Sequence, residues 1–113
     1  MALSNPLTSA APTHAQLRAS LDARTPEMLA HIQQFVDLES PSAEVDDLQR
    51  SAEFLAAVMT HVLGTPPEII PGEKGPHVHW KGSDDTKVLF VGHHDTVFPK
   101  GTVAQRSFSV EGD

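Results

Sequence analysis

The chain has 113 residues, 39% of them apolar, with eight Lys and Arg against 15 Asp and Glu and a formal net charge of −7. That is length for one small domain with a modest core, and its scattered cations offer no patch for phosphates or anionic lipid, so neither nucleic acid nor a membrane is expected as a partner. Cysteine is absent, which excludes disulfides and thiolate metal sites and leaves histidine and carboxylate as metal donors.

Met1 to Pro12 is small and polar, carries Pro6 and Pro12, and lacks the basic start and apolar core of a secretory signal. It reads as a flexible N-terminal segment, 1–12, and no apolar run is long enough to span a bilayer. A cytoplasmic location is the default expectation.

A helix is expected from Thr13, with Thr13 as N-cap and Leu17 and Leu21 on one face. Thr25-Pro26-Glu27 reads as a fresh helix start: a capping Thr, Pro at the first helical position and an acid in the first turn. Met28, Leu29, Ile32, Phe35 and Val36 then form an apolar stripe at helical spacing. His31 lies close to that stripe and has no ligand-like company, so it reads as an interfacial or surface histidine.

Pro41 pushes Ser40 out of helical geometry, and Ser42 is placed to cap the next helix. That helix is expected over Ala43 to Leu63, with Val45, Leu48, Ala52, Leu55, Met59 and Val62 buried and Gly64 closing it. Glu44, Asp46 and Asp47 read as a solvated first turn favoured by the helix dipole rather than as a metal cluster. His61 suits the dipole at the other end.

Short strands are expected over Glu68 to Pro71 and Pro76 to Lys81, joined by the turn Gly72-Glu73-Lys74-Gly75. In the second, His77 and His79 face one way and Val78 and Trp80 the other. Two histidines on one strand face are a competing metal site, but no acid stands near them in sequence.

The richest stretch follows. Lys87-Val88-Leu89-Phe90-Val91 has the composition of a strand buried on both faces. Gly92 breaks it, and His93, His94 and Asp95 crowd ionisable groups at its carboxyl end, where open α/β sheets hold their ligands. An extended backbone puts His93 and Asp95 on one side and His94 on the other. A neutral imidazole ligates zinc better when a carboxylate holds its second ring nitrogen, and Asp95 is placed for that.

The run from Val88 to Gly101, VLFVGHHDTVFPKG, resembles the first metal-site motif of the dizinc exopeptidases and deacylases that include glutamate carboxypeptidase (carboxypeptidase G), acetylornithine deacetylase and succinyl-diaminopimelate desuccinylase. Phe35-Val36-Asp37-Leu38-Glu39-Ser40-Pro41-Ser42 resembles the helix end and turn that open these catalytic domains. Gly101-Thr102 and Phe108 to Asp113 resemble the segment after the motif. The likeness covers residues 15 to 113 and is closest to the glutamate carboxypeptidase branch.

The resemblance implies an α/β fold: the N-terminal portion of a zinc-exopeptidase-like catalytic domain, with two to three helices followed by strands of a mixed sheet over residues 13–113. It implies two zinc ions in the intact enzyme, with His93 a terminal ligand of one and Asp95 the catalytic-site carboxylate that orients it. The family's bridging Asp, general-base Glu and remaining ligands fall after Asp113, so the isolated chain is expected to be an inactive fragment. The substrate implied is a small peptide or N-acylated amino acid cleaved at an amide beside a C-terminal residue, and a homodimer of the intact enzyme is compatible with it. The alternative is a non-catalytic remnant or interaction module. A third reading takes His94-Asp95 as the doublet of a metal-dependent phosphohydrolase, but that doublet belongs in a helix and here follows a strand.

Overall fold

The computed structural model describes residues 10–112, so most of the expected flexible segment 1–12 lies outside the described residues. The elements in order are α1 (His14–Leu38), α2 (Val45–Leu63), β1 (Glu68–Ile70), β2 (His77–His79) and the single-turn α3 (Thr102–Gln105). The chain divides after Ala30 into two units of internal contact.

In the first unit, Thr13 begins α1 as its sequence suggests. Its hydroxyl accepts the Gln16 N–H at 3.2 Å while the Gln16 side chain accepts the Thr13 N–H at 2.9 Å, a reciprocal capping box. The fresh start expected at Thr25-Pro26 does not occur: α1 runs through Pro26. Proline's fixed φ is itself helical, and Thr25 turns its hydroxyl back onto the Leu21 carbonyl at 3.3 Å instead of capping a new helix. Surface ion pairs Arg18–Asp22 and Arg24–Glu27 lie along this stretch, the second spanning Pro26. Each adds about a few tenths of a kcal/mol, the scale of ordinary helix-surface pairs.

The second unit is built around α2. Gly64 closes the helix in the left-handed conformation, φ 79°, its N–H bonded to Thr60 O at 2.9 Å, as expected for a C-terminal glycine. The N-terminus is two residues shorter than the spacing suggests, and Ser42 does not cap it. Phe35 from the last turns of α1 meets Phe54 of α2 edge to face, with ring centroids 4.8 Å apart. Such a contact adds about 0.5–1.5 kcal/mol beyond burial. The apolar stripes are only partly covered: Leu48 and Ala52 of α2 are buried, while Ile32, Val36, Val45 and Val62 stay exposed.

The first turn of α2 also departs from expectation. Glu44 and Asp46 are exposed, but Asp47 is buried, with Arg50 and Lys100 both on its carboxylate; Lys100 Nζ is 3.1 Å from each oxygen. A buried carboxylate persists only when paired, and this one fastens the loop after residue 96 to the helix.

β1 and β2 pair antiparallel with Ile69 opposite Val78, and both contact α2. The alternation holds: Val78 and Trp80 are half-buried, His77 and His79 exposed. The pairing places Glu68 opposite His79, an acid that is distant in sequence. The turn between the strands rests on Leu48 at Gly75. Its φ is 125°, and a Cβ at this position would come within 2.8 Å of Leu48 Cδ1, so there is no room for a side chain.

The expected mixed sheet reduces to this hairpin. Val88 to Val91 carries strand chemistry but is neither paired nor buried: its side chains are 65–92% exposed. Pairing needs a neighbouring strand and covered faces, and no described element supplies either. The architecture is therefore a small α plus β arrangement with a two-stranded sheet, compatible with α/β only in the coarse sense. No helix among the described residues is long and apolar enough to cross a membrane.

Replacing Gly75 by Ala should destabilise the chain by about 1–3 kcal/mol, the scale of combined overpacking and positive-φ strain. A urea unfolding midpoint unchanged from that of the wild type would contradict the packing described for this turn.

Candidate functional site

The second unit is closed by a parallel bridge between Pro41 and Thr96. Ser42 N–H donates to Thr96 O at 3.0 Å, and Thr96 N–H donates to Ser40 O at 2.8 Å. Pro41 keeps this short stretch extended, which lets it act as a partner strand for the motif. Ser40 is buried, and its hydroxyl adds a 2.6 Å bond to the His94 carbonyl. The turn after α1 thus grips the motif at both His94 and Thr96.

The two histidines of the motif differ in tautomer. His93 Nδ1 lies 2.9 Å from the Asp95 carbonyl and 3.1 Å from Asp95 Oδ1. Both are acceptors, so Nδ1 carries the proton. In the neutral ring Nε2 then holds a free lone pair, on a side chain that is 81% exposed. His94 is the reverse. Its Nε2 lies 3.0 Å from the Pro76 carbonyl and donates to it, while Nδ1 lies 3.1 Å from the hydroxyl of the fully buried Ser51 and accepts from it in the neutral ring. The other acceptor near Ser51, the His94 carbonyl at 3.2 Å, is already served by Ser40. Both His94 nitrogens are engaged in linking α2 to the hairpin turn, so His94 has no lone pair for a metal. Alternation along an extended chain predicts this division, and the structure supplies its reason.

Ser42 Oγ donates to Asp95 Oδ2 at 2.6 Å. That bond and, to a lesser degree, the His93 ring hold the Asp95 carboxyl below its ordinary range against the opposing effect of desolvation. Ser42 read from sequence is a helix cap; its hydroxyl instead serves the motif carboxylate. Proximity across 53 residues is not visible in sequence, although the Ser-Pro-Ser turn signals that something holds it.

Two cavities flank the motif. One, about 510 Å³, is walled largely by Ile32, Phe35, Val36, Phe98 and Val103, with Arg106 at its edge, and the other, about 810 Å³, lies toward Leu55, the hairpin turn and Phe90. His93, His94 and Asp95 border both. Glu39, a non-glycine residue at φ 46°, also lines the first. Its carboxylate receives the N–H groups of Gly101 at 2.9 Å and Val103 at 3.1 Å, which hold its pKa below the ordinary carboxylate range, Val103 first. Glu39, Asp47 and Lys100 are residues that sequence patterning does not single out for this role.

The donor chemistry fits zinc at one position. His93 suits a terminal ligand with its orienting carboxylate. No group of three or more His, Asp or Glu side chains that could hold a metal ion occurs among the described residues, the His77, His79 and Glu68 face included. Among the described residues His93 is thus a lone candidate donor, without the closed set of ligands that a zinc site needs. No protein-family profile, curated protein or solved structure matches the chain.

Because Glu39 titrates below its unfolded value, its contribution to stability is fully present above the ordinary carboxylate range and is lost as pH falls through the depressed pKa. Glu39→Gln should therefore show a shallower loss of stability on acidification from about pH 6 to about pH 3 than the wild type. Denaturant melts across that range check this, and parallel curves would show that Glu39 does not hold the loop in this way.

Proposed function

We propose that this chain contributes part of the active centre of a zinc-dependent amidohydrolase or metallo-carboxypeptidase of the glutamate carboxypeptidase kind, hydrolysing an amide beside a C-terminal amino acid. The observation that carries the proposal is the His93–Asp95 arrangement: a carboxylate on Nδ1, a free Nε2 on an exposed ring, and the neighbouring histidine fully engaged elsewhere. Its agreement with the family motif in residues 88–101 adds the class of reaction.

His93 would hold zinc through Nε2, and the metal would supply the Lewis acidity that activates water and polarises a scissile carbonyl. The chain's own part is to present one neutral imidazole in a fixed tautomer, and Asp95 does this by accepting a hydrogen bond from Nδ1–H, which raises the ligand's basicity. The largely apolar cavity beside His93 has Arg106 as the single Arg or Lys along its wall. A substrate with an apolar body and a carboxylate suits such a wall.

A second reading, a non-catalytic interaction module, is favoured by one observation: the 65–92% exposure of Val88 to Val91. Exposed apolar runs of this kind mark interaction surfaces.

Calorimetric titration with zinc tests the first reading. The isolated chain should bind weakly, because one histidine cannot fill a site that needs about three or more protein ligands. His93→Ala should abolish the residual signal, whereas His94→Ala should not do so through the loss of a ligand. Tight stoichiometric binding that survives His93→Ala would transfer the metal site elsewhere, with His77 and His79 the first place to look. In the genomic sequence, a Gly-x-x-Asp-Met-Lys motif shortly after the Asp113 codon is expected; its absence in all three frames would count against the enzyme.

A further inference from the structure

We infer that Ser42 is a positioning residue for His93, acting through Asp95: its hydroxyl fixes one carboxylate oxygen so that the other is aimed at the imidazole. The functional meaning of this rests on the reading of His93 as a zinc ligand, but the geometry does not.

Ser42 Oγ has one proton and two acceptors in reach, Asp95 Oδ2 at 2.6 Å and Thr96 O at 3.1 Å. The shorter contact, to an ionised group, has the length of a charge-assisted O–H···O⁻ bond. The neutral Thr96 carbonyl is the farther of the two and receives the Ser42 N–H at 3.0 Å, so the carboxylate is the stronger acceptor and the proton goes to Asp95. That leaves Oδ1 as the acceptor for His93 Nδ1–H at 3.1 Å.

The need for such a hold follows from exposure. The Asp95 side chain is 40% accessible and that of His93 81%, so an unsupported carboxylate would turn toward water and leave the ring one acceptor. Ser42 cannot itself drift, because its backbone is locked to Thr96 by the parallel bridge and Pro41 stiffens the turn from the other side. The hydroxyl is thereby delivered by backbone geometry and not by side-chain packing. A second-layer hydrogen bond of this kind fixes ligand tautomer and orientation at metal centres generally.

The Asp95 carbonyl, 2.9 Å from Nδ1, keeps a share of the ring proton whatever Ser42 does. Loss of Ser42 should therefore shift the tautomer part-way, and only through Asp95.

Long-range 1H–15N spectra of the full chain, at a pH where imidazoles are neutral, read the tautomer of each histidine directly. In the wild type, His93 should show a protonated Nδ1 and an unprotonated Nε2, and His94 the reverse. Ser42→Ala should move His93 Nε2 toward protonated character, Ser42→Thr should restore the wild-type pattern, and the double variant with Asp95→Ala should move no further than Asp95→Ala alone. His94, held by Ser51 and Pro76, is the internal control for folding. If Ser42→Ala loses the His94 pattern as well, Ser42→Cys, a weak donor of similar size, takes its place under the same criteria.

An unchanged His93 tautomer in the variant that folds, or effects of Ser42 and Asp95 that simply add, overturns the inference. If the Ser42 dependence holds while zinc leaves the His93 signals untouched, the zinc reading fails and the positioning role stands.

Discussion

Residues 40–42 and 94–96 hold one another through a parallel bridge and two further side-chain hydrogen bonds, from Ser40 to the His94 carbonyl and from Ser42 to the Asp95 carboxylate. This contact joins segments 53 and 54 residues apart, and the placement of the motif depends on it. Few apolar side chains are buried in this unit, so hydrophobic burial alone gives the motif little support. A net contribution of about 0.5–1.5 kcal/mol per hydrogen bond, more where a carboxylate accepts, makes the four bonds of the bridge worth at least as much as one buried leucine.

Two ionic fastenings extend the same logic to the loop beyond the motif. Glu39 collects the N–H groups of Gly101 and Val103, and buried Asp47 holds Lys100 and Arg50. Both put a carboxylate where backbone or cationic donors would otherwise need water. Together they set the wall of the cavity next to His93 without calling on a larger core.

The adjacent histidines show how one backbone makes two different imidazoles from the same residue type. His94 is tied at both nitrogens to acceptor and donor groups from other elements and serves as a strut. His93 has only Asp95 for company, and its outer nitrogen is left to solvent. The difference arises from what lies on either side of an extended chain, α2 and the hairpin turn on one side and open cavity on the other.

Local chemistry determined much by itself: the capping box at Thr13, the glycine stop at Gly64, the hairpin with its inward Val78 and Trp80, and the opposed directions of His93 and His94. Each depends on residues within a few positions, or on the strict alternation of an extended backbone. The tertiary structure alone decided that Ser42 serves Asp95 rather than a helix end, that Asp47 is buried, that α1 passes through Pro26, and that Val88 to Val91 stands unpaired. Composition states a strand's preference for neighbours, but only the arrangement of the rest of the chain determines whether a neighbour is there.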